Sequence, residues 1–277
     1  MQILQAAAAQ STNPWPLRRE RAVELTLRYP HAAEMLRLYQ ALLPAQEAVY
    51  LEFRSTGGQL EDIPDFAAER VLPAIVDATL SSGPTRLRDG VISVFCSADL
   101  KGLFRQWLDQ EPLGVVETYL ARACTSPLLE ALTSSPSPLA IPSPSSLAGE
   151  GRGGGSRCPT CSGLPQLSYF AVSGEALVSG PRYLLCSRCA GSWVFSRMTC
   201  AYCGEATGAR LPIFQEQEQF LHVRVDGCES CHRYLLTFDL RRDTRAVPVV
   251  DELAALPLDL YAIDQGLTKI TPNLLGN

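Results

Sequence analysis

Eight cysteines in the second half of the chain are the residues whose type and spacing could do chemistry. They form four Cys-x-x-Cys pairs, namely Cys158 and Cys161, Cys186 and Cys189, Cys200 and Cys203, and Cys228 and Cys231. Adding 42 to each position in the first two pairs gives the last two pairs, and 24 residues separate the pairs within each half. This fixed offset indicates an internal duplication of one cysteine-bearing unit.

The spacing within each pair is typical of metal ligands. Two thiolates three positions apart on a tight turn can contact one ion at about 2.3 Å, and two such turns complete a tetrahedron of four sulfurs. Pro159 stiffens the first turn, and Gly204 follows Cys203 where a residue tolerant of positive φ lets backbone N–H groups face sulfur. The sequence therefore predicts two metal ions in four-cysteine sites, and the all-sulfur ligand set accepts either iron or zinc.

Other interpretations of the cysteines fit less well. A disulfide framework requires an exported chain, and the first residues lack the basic start of a secretory signal. A thioredoxin-like redox site needs a single Cys-x-x-Cys, whereas this chain has four at regular spacing. The pairs could be grouped in tandem or interleaved; the equal separations favour the tandem grouping, and an interleaved DnaJ-type domain would carry a G-x-G after each pair, which is missing here.

Short strands are predicted around the cysteine pairs and would position them. Between and after the pairs, aromatic and β-branched residues recur in short runs. These runs are LSYFAV at 167–172, YLLC at 183–186, WVFSRM at 193–198, IFQEQ at 213–217, QFLHVRV at 219–225 and YLLTFDL at 234–240. The pattern predicts two rubredoxin-like or zinc-ribbon units, over 157–199 and 200–245.

The first part of the chain, 1–132, is predicted to be an all-α domain because its apolar residues recur at helical spacing. Helices are expected over 17–53, with a stop at Pro30 and a break or kink at Pro44, then over about 65–80, 90–108 and 112–132. We recognise no nucleophile–base pair, phosphate loop or carboxylate cluster there, so no catalytic residue is predicted.

Two further cysteines, Cys96 and Cys124, lie in apolar helical contexts and are expected to be small core residues.

A linker and a closing helix complete the predicted architecture. Residues 133–156 consist largely of Ser, Pro, Gly and Ala and are interpreted as a linker. The segment 246–277 is expected to form one helix over about 249–265 and a tail, and Pro257 is a candidate position for a kink in that helix. The predicted fold class is α+β multidomain, with an N-terminal all-α helical domain, two tandem four-cysteine units and a closing C-terminal helix.

Charge and hydropathy limit the expected partners and compartment. The chain carries a net charge of −5. Its 157–245 segment holds ten arginines against eight acidic residues, which is thin support for a nucleic-acid surface. His222 and His232 are not expected to bind metal because eight thiols already fill two sites. No run of about 18 apolar residues occurs, so no membrane insertion is expected and a cytoplasmic location is predicted.

Several stretches resemble the formate dehydrogenase accessory proteins called FdhE. The stretches that carry the resemblance are CPTC at 158–161, RYLLCSRCAGSW at 182–193, VFSRMTCAYCG at 194–204, CESCHRYL at 228–235, VVDELAALPLDL at 249–260 and PNLL at 272–275. RRERAVEL at 18–25 and AQEAV at 45–49 are similar in a weaker way. The likeness is therefore most specific from residue 157 to the end of the chain.

The resemblance implies a function that spacing alone does not give. Proteins similar to this one are cytoplasmic, non-catalytic maturation factors that are needed for formate dehydrogenase activity, bind its catalytic subunit and carry rubredoxin-like iron. We therefore expect an accessory factor with iron in preference to zinc, possible redox chemistry at the metal, a formate dehydrogenase catalytic subunit as partner and no nucleic acid. The alternative is a zinc-ribbon adaptor that binds nucleic acid or its machinery.

The duplication predicts a metal content of two ions per chain. Elemental analysis of the purified, reduced protein should return two equivalents of iron, zinc or their sum, because each unit supplies four thiolates. One equivalent, or none together with disulfide bonds, would contradict the tandem four-cysteine assignment.

Overall fold

The computed structural model describes residues 13–133, 155–171 and 180–276. The predicted linker over 133–156 falls, apart from its ends, outside these residues, so the domain boundaries stay a prediction. None of the described helices is long and apolar enough to cross a membrane.

The first part of the chain is helical, as predicted. Its described helices are α1 (Trp15–Arg28), α2 (Ala33–Ser55), α3 (Ile63–Phe66), α4 (Leu72–Ser82), α5 (Thr85–Ser97), α6 (Leu100–Leu108) and α7 (Val115–Leu132). A π-helical turn, Ala67–Val71, joins α3 to α4. The long helix α2 packs against α1, α4 and α7 and so forms the centre of this layer.

Three details differ from the sequence predictions. Helix α2 continues through Pro44, so of the two alternatives expected there the break does not occur. The single helix expected over 90–108 is two helices, because the chain leaves the helical conformation at Ala98 and the Asp99 carboxylate caps α6 by accepting from the Gly102 N–H at 3.0 Å. Cys124 is buried as expected, but Cys96 is exposed.

The exposure of Cys96 follows from its position around α5. Val91 and Val94 are buried on one side of this helix. At about 100° per residue, Cys96 is rotated by roughly 200° from Val94 and so lies on the opposite side. An apolar neighbourhood in sequence therefore did not place this thiol in the core.

The second part of the chain is built on one mixed sheet. Its described strands are β1 (Pro165–Phe170), β2 (Arg182–Cys186), β3 (Ser192–Phe195), β4 (Ile213–Phe214), β5 (Val223–Cys228), β6 (Arg233–Asp239) and β7 (Thr268–Lys269). The hydrogen-bonded order is β3-β2-β1-β6-β5-β4, and β7 pairs with β6. The sequence patterns predicted the first six strands, although β5 begins at Val223 and not at 219; β7 was not predicted.

The two cysteine units are fused through a single strand pairing. Within the units, β1–β3 and β4–β6 pair antiparallel, whereas β1 and β6 pair parallel, with Leu167 opposite Leu236 and Phe170 opposite Asp239. All six residues of β1 are buried. Because this pairing turns two small ribbons into one sheet, it removes two strand edges that each ribbon would otherwise expose.

Helices and sheet share their hydrophobic cores. Alternation along β2 places Tyr183 and Leu185 in a core with residues of α1 and α2, and Leu184 and Cys186 in a second core with residues of α2 to α7. The closing segment forms two helices, α8 (Pro248–Ala254) and α9 (Leu256–Asp264), which pack on this assembly. The break between them lies at Ala255, just before Pro257 in the first turn of α9.

Buried ion pairs connect the closing helices to distant parts of the chain. The Arg21 guanidinium donates through Nε to both Asp251 carboxylate oxygens at 3.1 and 2.9 Å, and through its NH2 group to Asp243 at 2.8 Å. Lys269 Nζ lies 2.8 Å from Glu252 Oε1 and 2.9 Å from Asp259 Oδ2. These pairs join α1 to α8, and β7 to both closing helices.

Removal of one partner of the Arg21 pair is expected to destabilise the fold strongly. Replacing Arg21 with Leu leaves the Asp251 carboxylate buried without its guanidinium, and loss of one partner of a buried pair costs about 3–5 kcal/mol. The matched control is Arg70→Leu, because Arg70 pairs with Glu52 on the exposed surface and such pairs contribute at most about 1 kcal/mol. Urea unfolding of both variants measures the difference, and equal losses would contradict the assignment.

Candidate metal centres

The first four cysteines lie around one point. Cys158 Sγ is 3.7 Å from Cys189 Sγ, and Cys161 Sγ is 3.3 Å from Cys186 Sγ and 3.5 Å from Cys189 Sγ. A tetrahedron with metal–sulfur bonds of about 2.3 Å has sulfur–sulfur edges of about 3.8 Å. A disulfide would need a separation of about 2.05 Å, so the geometry is that of ligands around an ion.

The second four cysteines form a matching cluster. Cys200 Sγ is 3.8 Å from Cys231 Sγ, and Cys203 Sγ is 3.7 Å from Cys228 Sγ. In both clusters the four sulfur atoms lie within 4.8 Å of one another. The grouping is the tandem one, first pair with second and third with fourth, and both clusters could hold a metal ion.

The same backbone turn follows every cysteine pair. The residue after the second cysteine has positive φ in all four cases, and these residues are Ser162 (57°), Ala190 (53°), Gly204 (80°) and His232 (54°). In two of these turns the conformation is accompanied by a hydrogen bond back to the first cysteine: the Ser162 N–H donates to the Cys158 carbonyl at 2.9 Å and the Gly204 N–H to the Cys200 carbonyl at 3.1 Å. The sequence indicated this conformation only at Gly204, since the other side chains disfavour it by about 1–2 kcal/mol.

Within the first cluster, hydrogen bonding favours the thiolate of Cys158, whereas hydrogen bonds with Cys158 and Cys161 raise the pKa of Cys186 and of Cys189. Hydrogen bonds from Cys161, Cys186 and Cys189 hold the pKa of the Cys158 thiol far below its usual range. Burial without such partners raises the pKa of the Cys124 thiol. Cys158 is therefore the sulfur most readily ionised in the first cluster, whereas Cys124 is an inert core thiol.

The two histidines lie in other environments. His222 Nε2 is 3.2 Å from Asp251 Oδ1, and His222, Asp243 and Asp251 present ligand atoms within 4.8 Å of one another. The Arg21 guanidinium already contacts both carboxylates, so the cation in this cluster is an arginine. His232 forms the turn after Cys231 and carries one of the positive φ angles.

The two centres differ in their surroundings. Cys158, Cys186 and Cys189 are buried in a core that they share with the helices, and the neighbouring Arg188 guanidinium donates to the carbonyls of Trp107 and Leu108 at 2.9 Å each. In the second centre, by contrast, Cys203 is exposed and Cys231 is half-buried. The duplicated units thus present one internal and one accessible cluster.

An arginine-rich groove lies beside the accessible cluster. A cavity of about 30 Å³ is lined by Cys200, by the single carboxylate of Asp226 and by four arginines, which are Arg182, Arg197, Arg224 and Arg233. Arg182 and Arg224 are ion-paired with Asp226, at 3.2 and 2.8 Å. Sequence analysis did not single out this groove because its arginines come from separate strands and loops.

Comparisons with known proteins point to one family. Residues 198–275 match the model of the FdhE C-terminal domain. The FdhE homologue of Aquifex aeolicus is 33% identical over 119 residues, which are 43% of this chain and 41% of that protein. The homologue of Pseudomonas aeruginosa is 33% identical over 121 residues, 43% of this chain and 38% of that protein. The match thus spans about two fifths of the length of these curated relatives.

A solved structure shares the whole fold. The crystal structure of the FdhE protein from Pseudomonas aeruginosa matches with a TM-score of 0.64 and covers 96% of both chains at 22% sequence identity. Fold and clusters together define a helix-covered sheet that carries two rubredoxin-like or zinc-ribbon four-cysteine centres. The resemblance seen in the sequence is thereby confirmed, and it is strongest in the C-terminal part of the chain, where residues 198–275 match the FdhE C-terminal domain.

Unequal burial predicts that the two centres release metal at different rates. In protein loaded with two ions, a chelator should remove one equivalent on the order of tenfold faster or more, because local opening is easier at the exposed cluster. Cys203→Ser should abolish the fast phase, and Cys158→Ser the slow one. Release of both ions in one phase, or a fast phase that survives Cys203→Ser, would contradict this difference.

Proposed function

We propose that this protein is an accessory factor for formate dehydrogenase that is not itself an enzyme. In this proposal it binds the catalytic subunit in the cytoplasm before that subunit is exported or assembled. The observation that carries the proposal is the FdhE match over residues 198–275, which contain the whole second cluster and both closing helices. The absence of a recognisable catalytic constellation in the sequence supports a binding role.

The accessible cluster offers a surface suited to a protein partner. Met198 and Ile213 are exposed and line the same cavity as Cys200. The Arg233 guanidinium lies over the exposed ring of Tyr202, with 4.8 Å between the guanidinium carbon and the ring centroid. Arg233 lines that cavity too. Exposed apolar side chains grouped next to arginines are typical of protein interfaces. We call the surface formed by Met198, Tyr202, Cys203, Ile213 and Arg233 the second-site face.

Charge around this face favours an acidic segment on the partner. The guanidiniums of Arg197, Arg224 and Arg241 lie 5.0, 5.1 and 5.3 Å from the centroid of the Phe170 ring. Asp226 and Asp239 each pair with two arginines, so a net positive charge remains here in a chain whose net charge is −5. It would attract carboxylates and restrict the orientation of the encounter.

We further propose iron, in keeping with the resemblance, in both clusters. Four thiolates around iron supply a one-electron couple when the metal is bound. The chain itself holds the sulfur atoms in place through the turns at Ser162, Ala190, Gly204 and His232 and through N–H groups aimed at sulfur. Two of these donate at 3.4 Å, from Arg188 to Cys186 and from Tyr202 to Cys200.

A nucleic-acid adaptor is the second candidate, and the arginine cluster is the observation that favours it. Single-stranded nucleic acids bind to basic grooves that also offer aromatic rings for stacking. Phe170 is only 6% exposed, however, and the negative net charge opposes a long polyanion. The partner is therefore better described as a protein with an acidic surface.

Genetic complementation tests the accessory role. Deleting the gene should abolish formate dehydrogenase activity while its transcript stays unchanged, and Cys228→Ser should fail to restore activity because it breaks the second cluster. Cys96→Ser is the matched control, since Cys96 is exposed and belongs to neither cluster. Full formate dehydrogenase activity in the deletion strain would end the proposal.

The same strains and proteins locate the partner surface. Arg224→Glu combined with Arg241→Glu should lower recovery of the catalytic subunit in a pull-down by about tenfold, a size typical for interfacial charge reversal. Metal content should stay at two ions. Undiminished recovery would remove the arginines around Phe170 from the proposed partner surface, whereas retention of nucleic acid in place of the catalytic subunit would favour the adaptor.

A further inference from the structure

A cavity lies where the helices meet the first cysteine cluster. It has a volume of about 80 Å³ and is bounded by α1, α2, α7, β1, α8 and the turn after β2. The side chains that matter here are Trp15, Arg18, Arg122, Glu130, Gln166 and Arg188. We call this space the helix–sheet cavity.

Two buried arginines in the cavity wall lack a carboxylate partner. Of the five buried arginines in the described part of the chain, three form ion pairs, and these are Arg18 with Glu130, Arg21 with Asp251, and Arg182 with Asp226. Arg122 and Arg188 instead donate to carbonyl and amide oxygens only. Both of them line the helix–sheet cavity.

Three N–H groups from this wall also lack acceptors. Among the described residues, no hydrogen-bond partner lies near Trp15 Nε1, Arg122 Nε or Arg188 Nε. Leaving a buried donor unsatisfied costs about 1–3 kcal/mol, and more when the group is charged. Burial, only partly offset by Glu252 and by the Cys186 sulfur, lowers the pKa of Arg122 to about 10, as expected for a buried cation that forms no ion pair with a carboxylate.

The anionic groups on the same wall are already engaged. Glu130 accepts both hydrogen bonds of the Arg18 fork, at 3.0 and 2.7 Å. Cys186 belongs to the first cluster, and its sulfur accepts from the backbone N–H of Arg188 at 3.4 Å, not from the guanidinium. Positive charge and unfilled donors thus coincide in a space several times larger than the roughly 10–15 Å³ that one water needs.

We propose that the helix–sheet cavity binds a single carboxylate through Arg188, Arg122 and the Trp15 indole. A planar carboxylate matches the fork of a guanidinium and gives stronger hydrogen bonds than neutral water does. The carboxylate is carried either by a small organic acid or by the C-terminus of a polypeptide. Because the cavity touches α1, β1 and the first cluster, an occupant would brace the helices against the metal-bearing sheet.

The Trp15 indole N–H provides a direct test in the full chain loaded with zinc, which the same thiolates accept and which, unlike iron, is diamagnetic and leaves nearby resonances sharp. Titration with acetate, followed by ¹H–¹⁵N correlation spectra, should shift the Trp15 indole resonance saturably. The resonance is assigned by its absence from the spectrum of Trp15→Phe. The Trp193 indole donates to the Gly155 carbonyl at 3.0 Å and should not move. N-acetylglycine tests whether the cavity accepts the C-terminal carboxylate of a polypeptide. N-acetylglycinamide, which lacks the carboxylate, should cause no shift. A titration with chloride controls for ionic strength.

Variants separate binding from general charge effects. Arg188→Gln should weaken acetate binding by about tenfold or more, the loss expected for one charged hydrogen bond, whereas Arg105→Gln on the exposed surface of α6 should not change it. An unmoved Trp15 resonance at high acetate would overturn the proposal and assign both arginines to the cysteine cluster alone. Equal shifts from N-acetylglycine and N-acetylglycinamide would also overturn the proposal, because the shift would then not depend on the carboxylate. This comparison uses the unmodified protein and so does not depend on the folding of any variant.

Discussion

The structure depends on four sulfur atoms held close together inside a core that helices and sheet share. Bringing Cys158, Cys161, Cys186 and Cys189 to within 4.8 Å is unfavourable for thiolates unless a cation joins them. A bound metal would therefore stabilise more than a small ribbon: it would hold the sheet against the helices, through the apolar contacts of the buried cysteines and the Arg188 bonds to α6. Metal binding and folding of the whole assembly would thereby be linked.

Buried charge gives the assembly a defined arrangement that apolar packing alone would not. The closing helices supply three buried carboxylates, Asp251, Glu252 and Asp259, and each contacts a cation from elsewhere in the chain. Tyr234 adds a hydrogen bond to Asp259 at 2.9 Å. Such pairs contribute little net stability compared with apolar side chains, but they strongly disfavour any arrangement that leaves one partner unpaired. They explain how a short helical tail can dock in one orientation.

The duplication has produced two similar centres with different surroundings. One edge of each ribbon is occupied by the β1–β6 pairing, and in the resulting sheet the first cluster lies in a core shared with the helices, whereas Cys203 of the second cluster is exposed. Exposure of Cys203, together with the arginines around Phe170, gives the outer centre a surface that can meet a partner. The inner centre is instead coupled to the helix–sheet cavity through Cys186 and Arg188.

The sequence by itself determined the local features of this protein. Ligand spacing, the 42-residue repeat, six of the seven described strands and the helical first half depend on residues near each other in the chain, where spacing and periodicity act directly. Those patterns contain no information about contacts between distant segments. Only the tertiary structure decided that Cys96 is exposed, that β1 pairs with β6, that Arg21 contacts Asp251, and that Arg122 and Arg188 meet in one cavity. Each of these depends on which surfaces pack together, because burial and charge pairing act through space.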